Sequence, residues 1–205
     1  MVINVKLIIS AFLLLLSLSG VSQETARDYY NNGASKGLSE EYQSAVISFT
    51  KALAIKPDFE EALFSRGLCY LRLKNYKESL ADFSRLLEIN PENGKAYSNR
   101  AQAKAALGDN EGALLDFNDA LNFLPGDPVV FYNRGIVYYM IGKYPEAIND
   151  LTVSLNIDPS QGMCFYKRGI VNYVAGERIA ACVDLNKAAG LGIAEAYDII
   201  KVYCR

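Results

Sequence analysis

Four prolines, Pro57, Pro91, Pro125 and Pro159, stand 34 residues apart. A fixed interval of this length means that one supersecondary unit has been copied along the chain. With each proline placed at position 32, units begin at 26, 60, 94, 128 and 162, and the other residues fall into columns. Position 4 is Tyr29, Leu63, Tyr97, Phe131 and Phe165. Position 8 is Gly33, Gly67, Ala101, Gly135 and Gly169. Position 20 is Ala45, Ser79, Ala113, Ala147 and Ala181; position 24 is Phe49, Phe83, Phe117, Leu151 and Leu185; position 27 is Ala52, Leu86, Ala120, Ser154 and Ala188.

Apolar and small residues at three- and four-residue steps mark one face of a helix. Small residues at positions 8 and 20 let two antiparallel helices approach closely, and the larger residue at position 24 fills the space beside them. Proline ends the second helix, because it lacks an N–H and disfavours helix in the residue before it. The columns predict helices over 26–38 and 42–55, 60–73 and 76–89, 94–107 and 110–123, 128–141 and 144–157, and 162–175 and 178–189. Gly108, Gly142 and Gly176 mark three turns between paired helices, and Asp58, Asn93 and Asp127 lie where short polar side chains can cap following helices. One such hairpin cannot bury its own apolar faces. Five in series can, so the expected fold is an all-α solenoid of five repeats over 26–189, divided as 26–59, 60–93, 94–127, 128–161 and 162–189. Gly190-Leu191-Gly192 stops the last repeat, and 193–204 carries apolar residues at near-helical steps, as a capping helix would.

These columns resemble the tetratricopeptide repeat family. The resemblance implies a right-handed superhelix whose concave groove is lined by positions 2, 5, 6, 9, 12 and 13 of the first helices. On this chain those positions are richest in Tyr132, Asn133, Ile136, Tyr139, Tyr166, Lys167, Ile170 and Tyr173, with Asn99 one unit earlier. Tyrosine buries large area with few torsions to freeze, and asparagine can bond a peptide backbone. The same stripe would also arise from aromatics packing between neighbouring hairpins. Some family members hold a peptide's terminal carboxylate with a set of Lys, Asn and Arg. Here the cations Arg27, Arg72, Lys95 and Lys167 are scattered and do not match that set.

Two charged columns repeat as well. Position 7 is Arg66, Arg100, Arg134 and Arg168, and position 23 is Asp82, Asp116, Asp150 and Asp184. The first unit lacks both, with Asn32 and Ser48 in their places. Joint absence indicates coupling, so each arginine is expected to pair with the aspartate of its own unit as a structural ion pair rather than as a catalytic acid. Cys182 begins the last repeat helix and Cys204 ends the tail helix that folds back on it, which predicts a disulfide between them. Cys69 and Cys164 read as small core residues.

Before Glu24 the only charge is Lys6, followed by the apolar run 7–18 and the small residues Ser19-Gly20-Val21-Ser22. This is the pattern of a secretory signal peptide over 1–22, too short to span a membrane comfortably. It predicts export, to a bacterial periplasm or beyond, and no membrane span after cleavage.

The chain has no histidine, which removes the commonest general base and metal ligand. It has no CxxC pair or phosphate-binding glycine loop, so neither a metal nor a cofactor is expected. A net charge of −2 gives no electrostatic case for nucleic acid. The chain therefore reads as no enzyme but as a scaffold binding another protein or an extended peptide. A carrier of a small molecule or peptide fragment is the alternative, and self-association through the solenoid's ends is a third reading.

Overall fold

A computed structural model describes residues 24–204 as eleven helices with no strand among them. The signal-peptide reading of 1–22 falls outside the described residues. The helices run α1 Ala26–Leu38, α2 Tyr42–Ile55, α3 Glu60–Arg72, α4 Tyr76–Ile89, α5 Gly94–Ala106 and α6 Asn110–Phe123. They continue as α7 Pro128–Met140, α8 Tyr144–Ile157, α9 Gly162–Val174, α10 Arg178–Gly190 and α11 Ala194–Tyr203. No helix of the described residues is long and apolar enough to cross a membrane.

The helix ends follow from local chemistry. In the first four units the second helix stops two residues before the proline, and the residue between has left the helical region: Lys56, Asn90, Leu124 and Asp158 have φ of −130°, −134°, −130° and −132°. Thr25 and Asp28 form a reciprocal capping box at the start of α1. Asn93 and Asp127 accept hydrogen bonds from the backbone N–H groups of Ala96 and Val129. Asp58 does not act as a cap. The residue at that point is Phe59, fully buried beside Tyr30 with ring centroids 5.2 Å apart. Packing between the first two units thus takes the place of a polar cap.

The hairpins are held by their smallest residues. The side chains at positions 20, 24 and 27 are almost completely buried in all five units. The position-24 ring or isobutyl group lies against position 8 of the first helix of its own unit. A Cβ added to Gly33 would stand 2.7 Å from the Phe49 ring, and one added to Gly67 2.8 Å from the Phe83 ring. Consecutive helices pack all along the chain, and successive first helices also touch: α1 with α3, α3 with α5, α5 with α7 and α7 with α9. No comparable contact joins successive second helices. The stack therefore curves with α1, α3, α5, α7 and α9 on the inside.

The turn inside each hairpin places position 15 in the left-handed region. In the last three units this residue is Gly108, Gly142 and Gly176, with φ of +88°, +76° and +90°. In the first two it is Glu40 at +61° and Lys74 at +60°. A side chain there costs about 1–2 kcal/mol, and glycine gives back part of that through its freer unfolded state, about 0.4–1 kcal/mol. Lys74→Gly is therefore expected to stabilise the protein by about 0.5–1 kcal/mol. Thermal or urea unfolding checks it, and an unchanged or lowered midpoint refutes the strain argument.

Candidate functional site

The charged columns meet inside each hairpin. Arg66, Arg100, Arg134 and Arg168 each donate two hydrogen bonds, from Nε and Nη2, to Asp82, Asp116, Asp150 and Asp184 respectively, at 2.7–2.8 Å. The aspartates are buried, and the arginine side chains are less than one-fifth exposed. The hydrogen bonds from Arg100, Arg134 and Arg168 to their carboxylates raise the arginine pKa further above its ordinary value. For Arg66 burial works against the charge, and the bonds and charge of Asp82 outweigh it. In the first unit a neutral pair does the same job: Ser48 Oγ donates to Asn32 Oδ1 at 2.8 Å.

The arginines also join units, a role the column reading missed. The free Nη1 of Arg66, Arg134 and Arg168 donates to Thr50, Asn118 and Thr152, at position 25 of the preceding unit, at 2.7–3.0 Å. The signal was in the sequence, because position 25 is a short polar residue in every unit: Thr50, Ser84, Asn118, Thr152 and Asn186. Position 11 is likewise explained. Lys104 adds a second cation 2.9 Å from Asp116, Asn172 donates to Asp184 at 3.0 Å, and Lys36 donates to Ser48 at 3.3 Å. Tyr70 and Tyr138 instead turn their rings toward Arg66 and Arg134. A residue at position 11 always answers what lies at positions 7 and 23.

On the inner face the aromatic residues of the last two repeats are half-buried. Tyr132 and Tyr139 pack against the core around Leu151 and Cys164, and Tyr139 lies beside Tyr144 with centroids 6.2 Å apart. Tyr166 and Ile170 rest on the Leu185 cluster, and Tyr173 meets Tyr203 of α11 at 4.8 Å. Asn133, Ile136 and Lys167 are also half-buried, while Asn99 spends its amide N–H on the backbone oxygen of Lys95 at 2.8 Å. Among the open concavities earlier in the stack are two that share Arg72. One is bounded by Leu68, Leu71, Arg72, Tyr76, Asn99 and Gln102. The other lies between α1 and α3, with Leu38, Tyr42, Leu68 and Arg72 among its walls. Position 13, at the end of each first helix, is exposed throughout: Leu38, Arg72, Ala106, Met140 and Val174.

The tetratricopeptide repeat family matches residues 60–93, the second unit of the stack. No curated protein sequence matches the chain. Solved structures do. MamA from Desulfovibrio magneticus RS-1 superposes with a TM-score of 0.75 at 16% identity, covering 82% of this chain and 96% of that one. PilW, described as a type IV pilus biogenesis factor, gives 0.75 at 21% identity over 83% of this chain and 79% of its own. YrrB, described as a TPR protein with an unusual peptide-binding site, gives 0.68 at 22% identity over 88% and 94%. The second unit is a tetratricopeptide repeat, and the stack as a whole has the fold of a tetratricopeptide array. At these identities the likeness is one of fold.

The end of this tetratricopeptide array is closed by α11. Ala196 is buried against α10, and Tyr197 Oη donates to the Ala189 carbonyl at 3.2 Å. Cys182 and Cys204 form a disulfide with Cα atoms 5.6 Å apart. Cys69 and Cys164 are free and buried; burial pushes both thiols up, that of Cys164 to about 11.

Two outcomes are expected. Removing one partner of a buried pair is costly, so Asp150→Ala should lose about 3 kcal/mol. Arg134→Met and Asp150→Ala together should cost less than their sum by about 1–3 kcal/mol in a double-mutant cycle by urea unfolding; additivity would remove the coupling. Opening the disulfide with Cys182→Ser/Cys204→Ser should cost about 3 kcal/mol and speed amide exchange in α11 ahead of α9. Equal exchange in α11 with and without the bridge would show that packing alone holds the cap.

Proposed function

We propose that this chain is a non-enzymatic scaffold that holds an extended segment of another protein along its concave face. One observation carries the reading: the inner ends of the first helices leave an apolar row uncovered. Leu38, Met140 and Val174 are 89%, 56% and 46% exposed, at one position of the first, fourth and fifth units. Their neighbours on the inner face are tyrosines and amides, which suit protein interfaces. Tetratricopeptide arrays are generally interaction scaffolds rather than catalysts, and with no histidine the chain lacks the usual general base. The two concavities are open to the groove, which suits an extended segment better than a compact ligand.

We place the scaffold in an exported compartment. Lys6, the apolar run 7–18 and Ser19-Gly20-Val21-Ser22 support this, and a disulfide between Cys182 and Cys204 is at home in an oxidising environment.

Panning random linear peptides against the purified protein tests the binding mode. Selected peptides should lose at least about tenfold in affinity, or 1.4 kcal/mol, on the double variant Leu38→Ser/Met140→Ser. The outer-face variant Glu111→Ala should bind them unchanged. Peptides indifferent to the inner-face changes, or no peptide at all, would count against a concave-face scaffold.

A further inference from the structure

The inner face differs in charge from the rest of the chain. Across positions 2, 5, 6, 9, 12 and 13 of the five first helices there are four cations, Arg27, Arg72, Lys95 and Lys167, and one carboxylate, Glu61. The whole chain carries a net −2, so the remaining surface is acidic and this strip is not. Two of the four cations are already answered: Arg27 pairs with Glu61 at 3.2 Å, and Lys95 shares a concavity with Glu60 and Glu61.

Arg72 and Lys167 are different. Among the described residues no carboxylate lies within ion-pair distance of either. Every position-7 arginine, by contrast, is held by an aspartate. Arg72 is exposed at the end of α3 and forms part of two concavities on the inner face, and neither of these has an acidic wall, unlike the one that holds Glu60, Glu61 and Lys95. On one side of it are the apolar Leu38, Tyr42 and Leu68. On the other are the amides of Asn99 and Gln102, beside Leu71. Lys167 stands three repeats beyond Arg72, with Nζ 5.7 Å from the Tyr166 ring.

We propose that the segment held by this groove is acidic and apolar in alternation, with an Asp or Glu side chain on Arg72 and an adjacent bulky apolar side chain in the concavity between α1 and α3. A second acidic side chain reaches Lys167. The proposal rests on the concave-face reading above and names the chemistry of its occupant. Two separated cations without internal partners call for more than one carboxylate, and a chain terminus supplies only one, so the carboxylates come from side chains within the segment. Guanidinium favours carboxylate over other anions through its paired N–H groups, and the apolar wall on one side and the amides on the other suit an apolar and a polar neighbour of that carboxylate.

The test uses the same selected peptides. Those weakened by Leu38→Ser/Met140→Ser are resynthesised with amidated C-termini, and each is paired with an analogue carrying Asn for Asp and Gln for Glu. Acidic peptides are expected to be enriched and to bind as amides. Their neutral analogues should bind about tenfold more weakly. Arg72→Gln should weaken the acidic peptide at least about fivefold while leaving its neutral analogue unchanged, and affinity for the acidic form should fall as salt rises. Groove-dependent peptides that are neutral or basic would overturn the charge assignment and leave the scaffold reading standing. Loss of binding on amidation would move the contact to a chain terminus and overturn it too. A selection yielding no groove-dependent peptide would overturn both.

Discussion

Everything in this fold hangs on the contact between position 8 and position 24. A phenyl ring seated 2.7–2.8 Å from where a Cβ would stand brings the two helices of a hairpin as close as their backbones allow. That approach buries positions 20 and 27 at the same time, because they lie on the same face of the second helix, one turn before position 24 and one after it. Fully burying a large side chain yields about 1.5–3 kcal/mol, and each unit repeats the arrangement. The third unit reaches the same end with Ala101 opposite Phe117, and the last two with leucine opposite glycine. The summed volume of the two positions differs between units, so the neighbouring side chains take up the difference.

The ion pairs answer a different need. Burying charge is expensive, and a well-packed apolar pair would often be as stable. What the arginine adds is geometry. Its Nε and Nη2 grip the aspartate of its own hairpin, and in three of four cases its Nη1 reaches back to the unit before. One side chain thus sets both the register within a hairpin and the offset between hairpins. In a stack where each unit touches only its neighbours, small errors of offset would otherwise accumulate along the superhelix. In the first unit the arginine is replaced by the neutral Asn32–Ser48 pair.

How much of this was legible depended on whether a residue obeys the period. The helices, the turn glycines and the Arg–Asp columns all recur at 34, and the structure places these helices within a residue or so of the pattern. Residues that break the period were harder. Lys36 and Lys104 stand at position 11, where two other units have tyrosine, yet each bonds the position-23 residue of its own unit. Asp58 looked like a cap, but the chain enters α3 one residue later, where Phe59 must be buried. Glu40 and Lys74 take a left-handed conformation with nothing in their identity to announce it. In each case the deciding partner is distant in sequence or lies in the backbone, and a column records neither. The inner-face tyrosines are a subtler instance. Helical spacing marks the face they share but not what covers it, and the structure shows them half-buried on neighbours while the open concavities lie earlier in the stack.

This division follows from the architecture. A second helix is enclosed by the first helices on either side of it, so its inward positions are held to narrow limits of size. A first helix also packs against the helices before and after it, but no helix covers its groove side. Its inner face meets solvent, and positions 5, 6, 9, 12 and 13 range from Gly37 to Tyr173 without disturbing the core. Charge is tolerated there as well, since a side chain at the rim keeps its water. Arg72 illustrates the consequence. It stands one helical row from Leu68 and Cys69, which pack against the first core cluster, yet nothing in the fold requires its guanidinium. Between an apolar hollow and a pair of amides, and with no carboxylate of the described residues within ion-pair distance, its guanidinium is left free for contacts outside the chain.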